Sequence, residues 1–298
     1  MKILLTGANG QLGWELSHQS KKQGYELWPT DIPELDITNQ SQVEKAITDI
    51  QPDIVINSAA YTNVDKAEND KNAAFAINKE GPEVLARLCN TYGCALIHVS
   101  TDYVFNGTQQ TPYLESDPIH PLGVYGKSKA EGESAIIANL HQYFIIRTSW
   151  LYGVQGHNFV KTMLRLGKER EILRVVTDQI GCPTATHDLA DAILKIVAMF
   201  NTNTSTMPWG IYHYCGKGIT SWHEFAKTIF DIASQYMSLK IKEVQPILSV
   251  DYPQDAKRPS YSALDCQKIH DVIGIETRPW QESLKHVIHR IVSEKLLM

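Results

Sequence analysis

The segment TGANGQLG (6–13) constrains the fold of this chain more than any other. It directly follows an apolar run, KILLT (2–6), and leads into a helical pattern. Gly7 permits a tight turn, Gly10 lets the backbone approach a pyrophosphate, and Gly13 lets helix and strand pack closely. The helix N-terminus would supply amide donors and a positive dipole to phosphates. Strand, glycine loop and helix in this order predict a dinucleotide-binding site.

The first half of the chain alternates short apolar runs with longer helical patterns. The apolar runs are continuous, which is typical of parallel strands covered on both faces. This alternation predicts an α/β fold with a Rossmann-like, doubly wound parallel sheet. Strands are predicted at 2–6, 25–28, 53–57, 94–100 and 143–149, and helices at 11–23, 40–50, 72–92 and 126–139.

The pattern loosens after residue 150. Helices are predicted at 158–170, 185–200 and 221–236, a strand at 172–178, a polar loop at 201–210 and an extended loop at 245–264. Ser221 and Glu224 have the spacing of a capping box at the start of the third helix. We therefore predict a dinucleotide-binding domain over residues 1–150, to which later segments return. A smaller C-terminal α/β region over residues 151–298 would mainly bind substrate.

Composition excludes several function classes. The 298 residues carry a net charge of −5, so nothing indicates a nucleic-acid partner. The first apolar run is too short for a signal peptide, and no later segment approaches a membrane span. Five cysteines, an odd number without a C-x-x-C pair, fit reduced thiols better than disulfides or a zinc site. These features predict a cytoplasmic protein without a membrane partner.

Asp31 bears on the choice of cofactor. It lies 18 residues after Gly13, just past the second predicted strand. An acidic side chain at this point can hydrogen-bond a ribose 2′-hydroxyl, which favours NAD over NADP. Asp31 is also compatible with a plain turn residue in TDIPELD (30–36), so the sequence leaves both interpretations open.

Tyr125 and Lys129 are spaced i, i+4 at the start of a helical stretch, so they share one helix face. A cation beside a phenol would lower the tyrosine pKa from about 10 towards neutrality. Such a tyrosine can exchange a proton with a carbonyl or hydroxyl oxygen. Y-x-x-x-K alone is more often a surface pair. Here it follows Thr101, at the end of a predicted central strand, by 24 residues, and the glycine loop lies upstream.

These motifs, taken together, resemble the extended short-chain dehydrogenase/reductase family. The glycine loop and Y-x-x-x-K are typical of the whole superfamily. VDKAE (64–68), STDYVF (100–105) and DQIGCPT (178–184) point more narrowly to its dTDP-4-dehydrorhamnose reductases. The similarity extends over nearly the whole chain and includes NSAAYTNVDKAE (57–68), RTSWLYG (147–153) and KRPSYSALD (257–265).

The resemblance implies reduction of the C4 keto group of dTDP-4-dehydro-L-rhamnose to dTDP-L-rhamnose, with NADPH or NADH. Tyr125 would donate the proton, and Lys129 would hold the cofactor ribose and tune the tyrosine. Thr101 would hydrogen-bond the keto oxygen of the nucleotide sugar or the tyrosine. The dinucleotide carries the hydride chemistry in such enzymes.

The resemblance also places residues around each ligand. The cofactor would be bound by Gly7, Gly10, Gln11, Leu12, Asp31, Asp36, Ile37, Ala60, Tyr61 and Thr62, together with Tyr125 and Lys129. The substrate would be bound by Thr101, Asp102, Trp150 and Arg258. A half-buried core aromatic remains an alternative for Trp150, and a solvated surface arginine for Arg258.

Some bacterial members of the family form a homodimer around Mg²⁺, which glutamates of both subunits hold. Glu15 and Glu294 could serve here. His187 and Asp188, however, stand where the resemblance predicts a further glutamate. The sequence therefore allows a homodimer but gives little support to Mg²⁺, for which Glu15 is the leading candidate ligand.

Two other kinds of function remain open. The first is another nucleotide-sugar enzyme of the superfamily, a 4,6-dehydratase or a 4-epimerase. Dehydratases carry Thr-Asp-Glu where this chain has Thr101-Asp102-Tyr103, and epimerases usually carry serine-rich runs there. The second is a non-catalytic, NADP-binding regulatory subunit resembling that of methionine adenosyltransferase. The intact Thr101–Tyr125–Lys129 set favours an enzyme.

Overall fold

A computed structural model describes residues 1–200 and 207–297. Its strands are β1 (Lys2–Thr6), β2 (Glu26–Thr30), β3 (Ile54–Asn57), β4 (Ala95–Thr101), β5 (Tyr143–Thr148), β6 (Leu151–Tyr152), β7 (Ile172–Val176), β8 (Ile180–Gly181), β9 (Thr184–Ala185), β10 (Gly210–His213), β11 (Thr220–Ser221) and β12 (Glu243–Ile247). Its α-helices are α1 (Gln11–Gln23), α2 (Gln40–Ile50), α3 (Val64–Ala67), α4 (Lys71–Phe75), α5 (Gly81–Tyr92), α6 (Val124–Asn139), α7 (Phe159–Glu169), α8 (Thr186–Met199), α9 (Trp222–Ala233), α10 (Gln267–Ile273) and α11 (Trp280–Ser293).

A parallel sheet of six strands forms the centre of the described residues, in the order β10-β5-β4-β3-β1-β2. Its strands bury side chains on both faces. Ile3 and Leu5 pack with α1 and α8, whereas Leu4, between them, packs with α2 and α5. This alternation follows from the two-residue period of a strand and explains the continuous apolar runs. The predicted doubly wound α/β sheet is confirmed.

The order of the strands places a crevice at their carboxyl ends. β1 leads through α1 to β2 on one side, and β2 leads through α2 to β3 on the other. The connections after β1 and β3 therefore diverge. In open α/β sheets ligands bind at such a switch point.

A second apolar core lies outside the sheet. α7, α9, α11 and β7 contribute Leu164, Phe225, Ile288 and Leu173 to it. The chain returns to the sheet in α8 and β10, which pack into the first core. The division at residue 150 into a cofactor and a substrate region remains a prediction.

The helix predicted over 72–92 is interrupted. A π-helical turn, Ala76–Glu80, separates α4 from α5. Pro82 has no N–H to bond the carbonyl of Asn78, so the regular i→i−4 pattern cannot continue through this point. The freed carbonyl lies against Gly132 of α6, where a β-carbon would overlap it.

The C-terminal half differs from its prediction in one element. The extended loop predicted over 245–264 begins inside β12, which pairs in parallel with β7. Pro246 hid this strand in the sequence. Within the described residues β12 pairs with β7 alone, and proline is tolerated in edge strands. The Ser221 N-cap is confirmed, because its hydroxyl accepts from Glu224 N at 3.1 Å. Residues 201–206 of the predicted polar loop lie outside the described residues. No helix in the described part of the chain has the length and apolar character to span a membrane.

Candidate active site

The three glycines of the first loop have different surroundings. Gly7 has a φ of +71°, and a β-carbon there would lie 2.5 Å from Ala59 N. A β-carbon on Gly13 would overlap Gly7 O, whereas one on Gly10 would meet only that oxygen, at 3.3 Å. Packing therefore requires glycine at 7 and 13, while Gly10 faces open space.

That open space is a cleft of about 700 Å³ above the carboxyl ends of β1, β3 and β4. Eleven of the twelve residues predicted to bind cofactor line it: Gly7, Gly10, Gln11, Leu12, Asp31, Asp36, Ile37, Ala60, Thr62, Tyr125 and Lys129. Tyr61 has a different orientation, because its hydroxyl donates to Asp70 Oδ2 at 3.1 Å. The sequence motif thus corresponds to one continuous cleft.

Asp31 is a turn residue that also faces the cleft. Its Oδ2 accepts from Asn9 N and its Oδ1 from Ile32 N, both at 2.8 Å. The carboxylate thus holds the glycine loop against the end of β2, as a turn residue does. It also lines the cleft, where a ribose hydroxyl could donate to it.

The same cleft brings together Thr101, Asp102, Tyr125 and Lys129. Thr101 ends β4, and its hydroxyl donates to Asp102 Oδ1 at 3.1 Å. Tyr125 and Lys129 lie on the first turns of α6, whose N-terminal amide at Val124 donates to Glu68 at 2.7 Å. An acidic group on a helix N-terminus is favourable. The i, i+4 spacing therefore places phenol and amine on the side of α6 that faces the cleft.

Tyr125 corrects one expectation from the sequence. Burial raises the pKa of this phenol to about 12, and neither the opposing effect of the Thr101 hydroxyl nor Lys129 brings it below its ordinary value. Desolvation dominates because the charged phenolate loses water that the neutral phenol needs less. The pKa of Tyr125 is thus raised rather than lowered, and the group is a proton-carrying acid at neutral pH.

Lys129 is engaged by groups beneath the cleft. Its Nζ donates to Val99 O at 2.7 Å and lies 3.0 Å from His98 Nε2. Burial lowers the pKa of Lys129 to about 8, against an opposing effect of Glu133. His98 is in turn 3.0 Å from Asn57 Nδ2. Sequence reasoning missed His98 and Asn57, although a polar side chain within an apolar strand was the available signal.

Two buried polar atoms of the cleft have no hydrogen-bond partner in the described structure, Asp102 Oδ2 and Thr148 Oγ1. Burial also raises the pKa of the Asp102 carboxyl to about 7. Buried polar groups are almost always hydrogen-bonded, so two unpartnered atoms in one cleft indicate a place that a polar ligand completes.

Trp150 and Arg258 line different clefts, the first cleft in one case and a second one of about 750 Å³ in the other. Trp150, with a φ of +46°, lines the first cleft and stacks on Trp222 of the second, at 3.6 Å between ring centroids. Arg258 lines the second cleft and pairs with Asp65 Oδ2 at 2.6 Å. Tyr103, which was not among the predicted site residues, also lines the second cleft, and its ring packs edge-on against Tyr125 at 5.7 Å.

The candidate magnesium ligands surround a guanidinium. Arg290 Nη1 is 3.7 Å from Glu15 Oε2, and Arg290 Nε is 3.0 Å from Glu294 Oε1. Gln19 donates to the second Glu15 oxygen at 3.1 Å. Among residues 1–200 and 207–297, no group of three acidic, histidine or cysteine side chains is arranged to hold a metal ion. Within one chain, Arg290 already supplies a positive charge to Glu15 and Glu294.

Comparison with known proteins gives a consistent assignment. The family model described as RmlD substrate binding domain matches residues 1–293. A dTDP-4-dehydrorhamnose reductase of Aggregatibacter actinomycetemcomitans is 45% identical over 288 residues, which cover 96% of this chain and 98% of that protein.

Solved structures agree with this assignment. The crystal structure of a dTDP-4-dehydrorhamnose reductase from Clostridium acetobutylicum has a TM-score of 0.91 and 44% identity, and the match covers 98% of this chain and 99% of that one. The corresponding enzyme of Bacillus anthracis, in complex with NADP, has a TM-score of 0.90 and 41% identity, with 97% and 99% covered. The chain therefore belongs to the dTDP-4-dehydrorhamnose reductase family.

Proposed function

We propose that this protein reduces the C4 keto group of dTDP-4-dehydro-L-rhamnose to a hydroxyl, giving dTDP-L-rhamnose, with NADPH or NADH as the reductant. The observation that carries the proposal is the convergence of Thr101, Tyr125 and Lys129 in one cleft with the glycine loop. Family membership supports the same reaction, since relatives with 37–45% identity are named dTDP-4-dehydrorhamnose reductases.

The first cleft suits the dinucleotide. Gly10, Gln11 and Leu12 begin α1, where backbone amides and the helix dipole favour a pyrophosphate. Asp31 would accept from the adenosine ribose, with Asp36 and Ile37 beside it, and Ala60 and Thr62 would flank the cofactor. When bound, the nicotinamide supplies a hydride to C4. Tyr61 would support this wall through its bond to Asp70.

The protein residues supply position and a proton. We assign to Thr101 a hydrogen bond to the keto oxygen, which orients C4. Tyr125 would then donate its proton to the oxygen as negative charge develops there. The high pKa of Tyr125 does not prevent this step, because an alkoxide is a stronger base than a phenolate. Lys129 would hold the ribose and face the phenol from one helical turn away.

The second cleft suits the nucleotide part of the substrate. Trp150 and Trp222 offer stacked aromatic faces, against which a sugar or a base can pack. Arg258 would give up its partner Asp65 and pair with the diphosphate, since a guanidinium can bind a phosphate in a bidentate manner. Asp102 would contact the sugar through its unpartnered Oδ2.

The alternatives fit these residues less well. A dehydratase needs an acid pair, and Tyr103 stands where its glutamate would be. A regulatory subunit would need no proton donor, whereas Tyr125 presents a partly buried phenol beside Thr101 at the cleft. We further propose that the protein works in the cytoplasm. A homodimer remains a prediction.

Turnover with separate reductants tests the proposal. The protein is mixed with dTDP-4-dehydro-L-rhamnose and either NADPH or NADH, and absorbance is followed at about 340 nm. We expect oxidation that depends on the sugar and a drop of about 100-fold or more in Tyr125→Phe. Tyr143→Phe, at the opposite end of the sheet, is the control and should keep wild-type activity. Absence of sugar-dependent oxidation with both reductants contradicts the proposal.

A further inference from the structure

Three of the five cysteines form a cluster next to the candidate active site. Cys182, Cys215 and Cys266 share one apolar cluster, although they come from distant parts of the chain. Ser149, which lines the first cleft, donates to Cys182 O at 2.6 Å. Cys215 Sγ lies 3.5 Å from Cys266 Sγ, and the Cys215 amide donates to Cys266 Sγ at 3.3 Å. The proposed reaction uses none of these thiols.

The folded chain holds Cys215 and Cys266 beside each other. Cys266 directly follows a segment whose backbone is hydrogen-bonded to Tyr113 and Ile180, and Cys215 lies two residues after β10. A disulfide has an S–S length of about 2.05 Å, so the two sulfurs need to approach by roughly 1.5 Å from their contact distance. A bond between them therefore needs only a small local movement.

Access to solvent distinguishes the two thiols. All five cysteines lie in the described part of the chain, and among them only Cys266 is partly exposed. Cys215 is 2% exposed, and its thiol donates to Leu264 O at 3.7 Å. Hydrogen bonds with the neighbouring thiols, together with burial, hold the pKa of Cys215 well above its ordinary value. A dissolved oxidant therefore meets Cys266 first, and Cys215 lies behind it as a protonated partner.

We propose that Cys266 is a site of oxidation by peroxides and that Cys215 converts the oxidised Cys266 into a disulfide. The Cys266 sulfur attacks one oxygen of hydrogen peroxide and the O–O bond breaks, which gives a sulfenic acid and water. The Cys215 sulfur then attacks the sulfenic sulfur. The S–O bond breaks, the S–S bond forms, and the Cys215 proton leaves with the hydroxyl as a second water. Two thiols are oxidised, and one peroxide is reduced.

The disulfide fastens a segment that supports the site. The segment 257–265 ends at Cys266 and carries Ser262, which is hydrogen-bonded to Asp102. The bond ties this segment to the end of β10 and closes a loop of roughly fifty residues, which restricts the unfolded chain and stabilises the folded one. In a reducing compartment such a bond forms only while the oxidant is present.

Peptide mapping after peroxide treatment tests the assignment. The reduced full-length protein is treated with hydrogen peroxide, blocked with N-ethylmaleimide and digested without reductant. We expect mass spectrometry to find the Cys215 peptide linked to the Cys266 peptide, and dithiothreitol to remove the link. Cys89 and Cys94 are the internal control. They are also neighbouring thiols, but each is at most 1% exposed, so both should stay reduced.

Serine variants separate the roles of the thiols. In Cys215→Ser, oxidation of Cys266 should stop at the sulfenic acid, which dimedone labels. In Cys266→Ser, neither the labelled sulfenic acid nor the disulfide should form. Cys182→Ser is the matched control from the same cluster and should form the wild-type disulfide. Peroxide should raise the Tm of the wild type and of Cys182→Ser by about 4 °C or more, and leave that of Cys266→Ser unchanged.

Three results would overturn the inference: no disulfide in the wild type, a disulfide of Cys215 with Cys182 in place of Cys266, or equal oxidation of Cys89 and Cys94. An unchanged Tm of the oxidised wild type would contradict the stabilising role of the bond. If Cys215→Ser does not fold, the wild-type map and Cys266→Ser still decide. None of these measurements needs the sugar or NADPH, so failure of the reductase assay would leave the thiol assignment intact.

Discussion

Asp102 is the residue through which pH should act most directly on the reaction. Its carboxyl has a pKa raised to about 7 by burial, so it is neutral below that pH and charged above it. Its negative charge raises the pKa of Tyr125 and opposes an alkoxide forming nearby. We expect kcat/KM for sugar reduction to fall as the pH rises through about 7. In Asp102→Asn, which cannot ionise, this decline should be absent.

The same carboxyl should affect stability with the same sign. A group whose pKa is raised by folding stabilises the fold below its unfolded pKa of about 4 and loses that contribution as the pH rises through about 7. The free energy of unfolding of wild type relative to Asp102→Asn, from urea titrations, should therefore decrease between these values. A difference in the free energy of unfolding between wild type and Asp102→Asn that does not change with pH would contradict this account of Asp102. So would an equal decline of kcat/KM with pH in both proteins.

Asp31 should disfavour a 2′-phosphate by charge repulsion. It lines the cleft and holds Asn9 N through one oxygen. We expect Asp31→Ser, which keeps one acceptor for that amide, to raise the kcat/KM ratio of NADPH to NADH by about tenfold, a shift of about 1.4 kcal/mol. Asp36→Ser, whose carboxylate caps Thr38 N at 2.9 Å, is the control and should change the ratio less. If Asp31→Ser leaves the kcat/KM ratio of NADPH to NADH unchanged, the result would contradict a position of the adenosine ribose beside Asp31.

Residue types and spacing sufficed to predict that Tyr125 and Lys129 share one face of α6, because i, i+4 positions do so whatever surrounds them. They did not suffice for the pKa of Tyr125. That value depends on how deeply the phenol is buried, and burial is set by elements distant in sequence. His98 was hidden for the same reason, since its partners come from β3 and α6.

At the level of elements, the glycine loop makes two separable contributions. A β-carbon on Gly13 would overlap Gly7 O, whereas one on Gly10 would project into the cleft. We expect Gly13→Ala to lower the free energy of unfolding by about 1–3 kcal/mol. Gly10→Ala should leave stability nearly unchanged and raise the Kd of NADPH by about tenfold or more. Thermal unfolding and fluorescence titration measure the two effects. Equal losses of stability in Gly13→Ala and Gly10→Ala would contradict the two separate roles of these glycines.

Elements with a strong hydrophobic period were predicted close to their observed bounds, as α1 and α2 illustrate. The interruption before Pro82 and the strand at β12 were not. The interruption had a local signal in Pro82, which has no N–H to continue the i→i−4 pattern. The strand β12 depends on pairing with β7, a distant segment. Local pattern cannot supply that information.

For the molecule as a whole, Arg290 should make a bridging cation unnecessary. Arg290 lies between Glu15 and Glu294, so removal of divalent metal should not reduce the stability of this region. We expect EDTA to leave both the Tm and turnover of the wild type unchanged. Arg290→Gln removes the internal positive charge and should lower the Tm, whereas Arg165→Gln, an exposed helix pair with Glu169, should not. A loss of activity in EDTA that Mg²⁺ restores would contradict this account.

The central claim concerns the whole molecule, because the two clefts must together bring hydride and proton to one carbonyl group. Its most direct test is the fate of the hydride. The protein is incubated with dTDP-4-dehydro-L-rhamnose and with NADPH that carries deuterium at the transferred position. The product is then analysed by NMR. The account predicts dTDP-L-rhamnose with one deuterium, at C4 of the sugar. A product without deuterium at C4, or with exchange from solvent at C3 or C5 only, would contradict it.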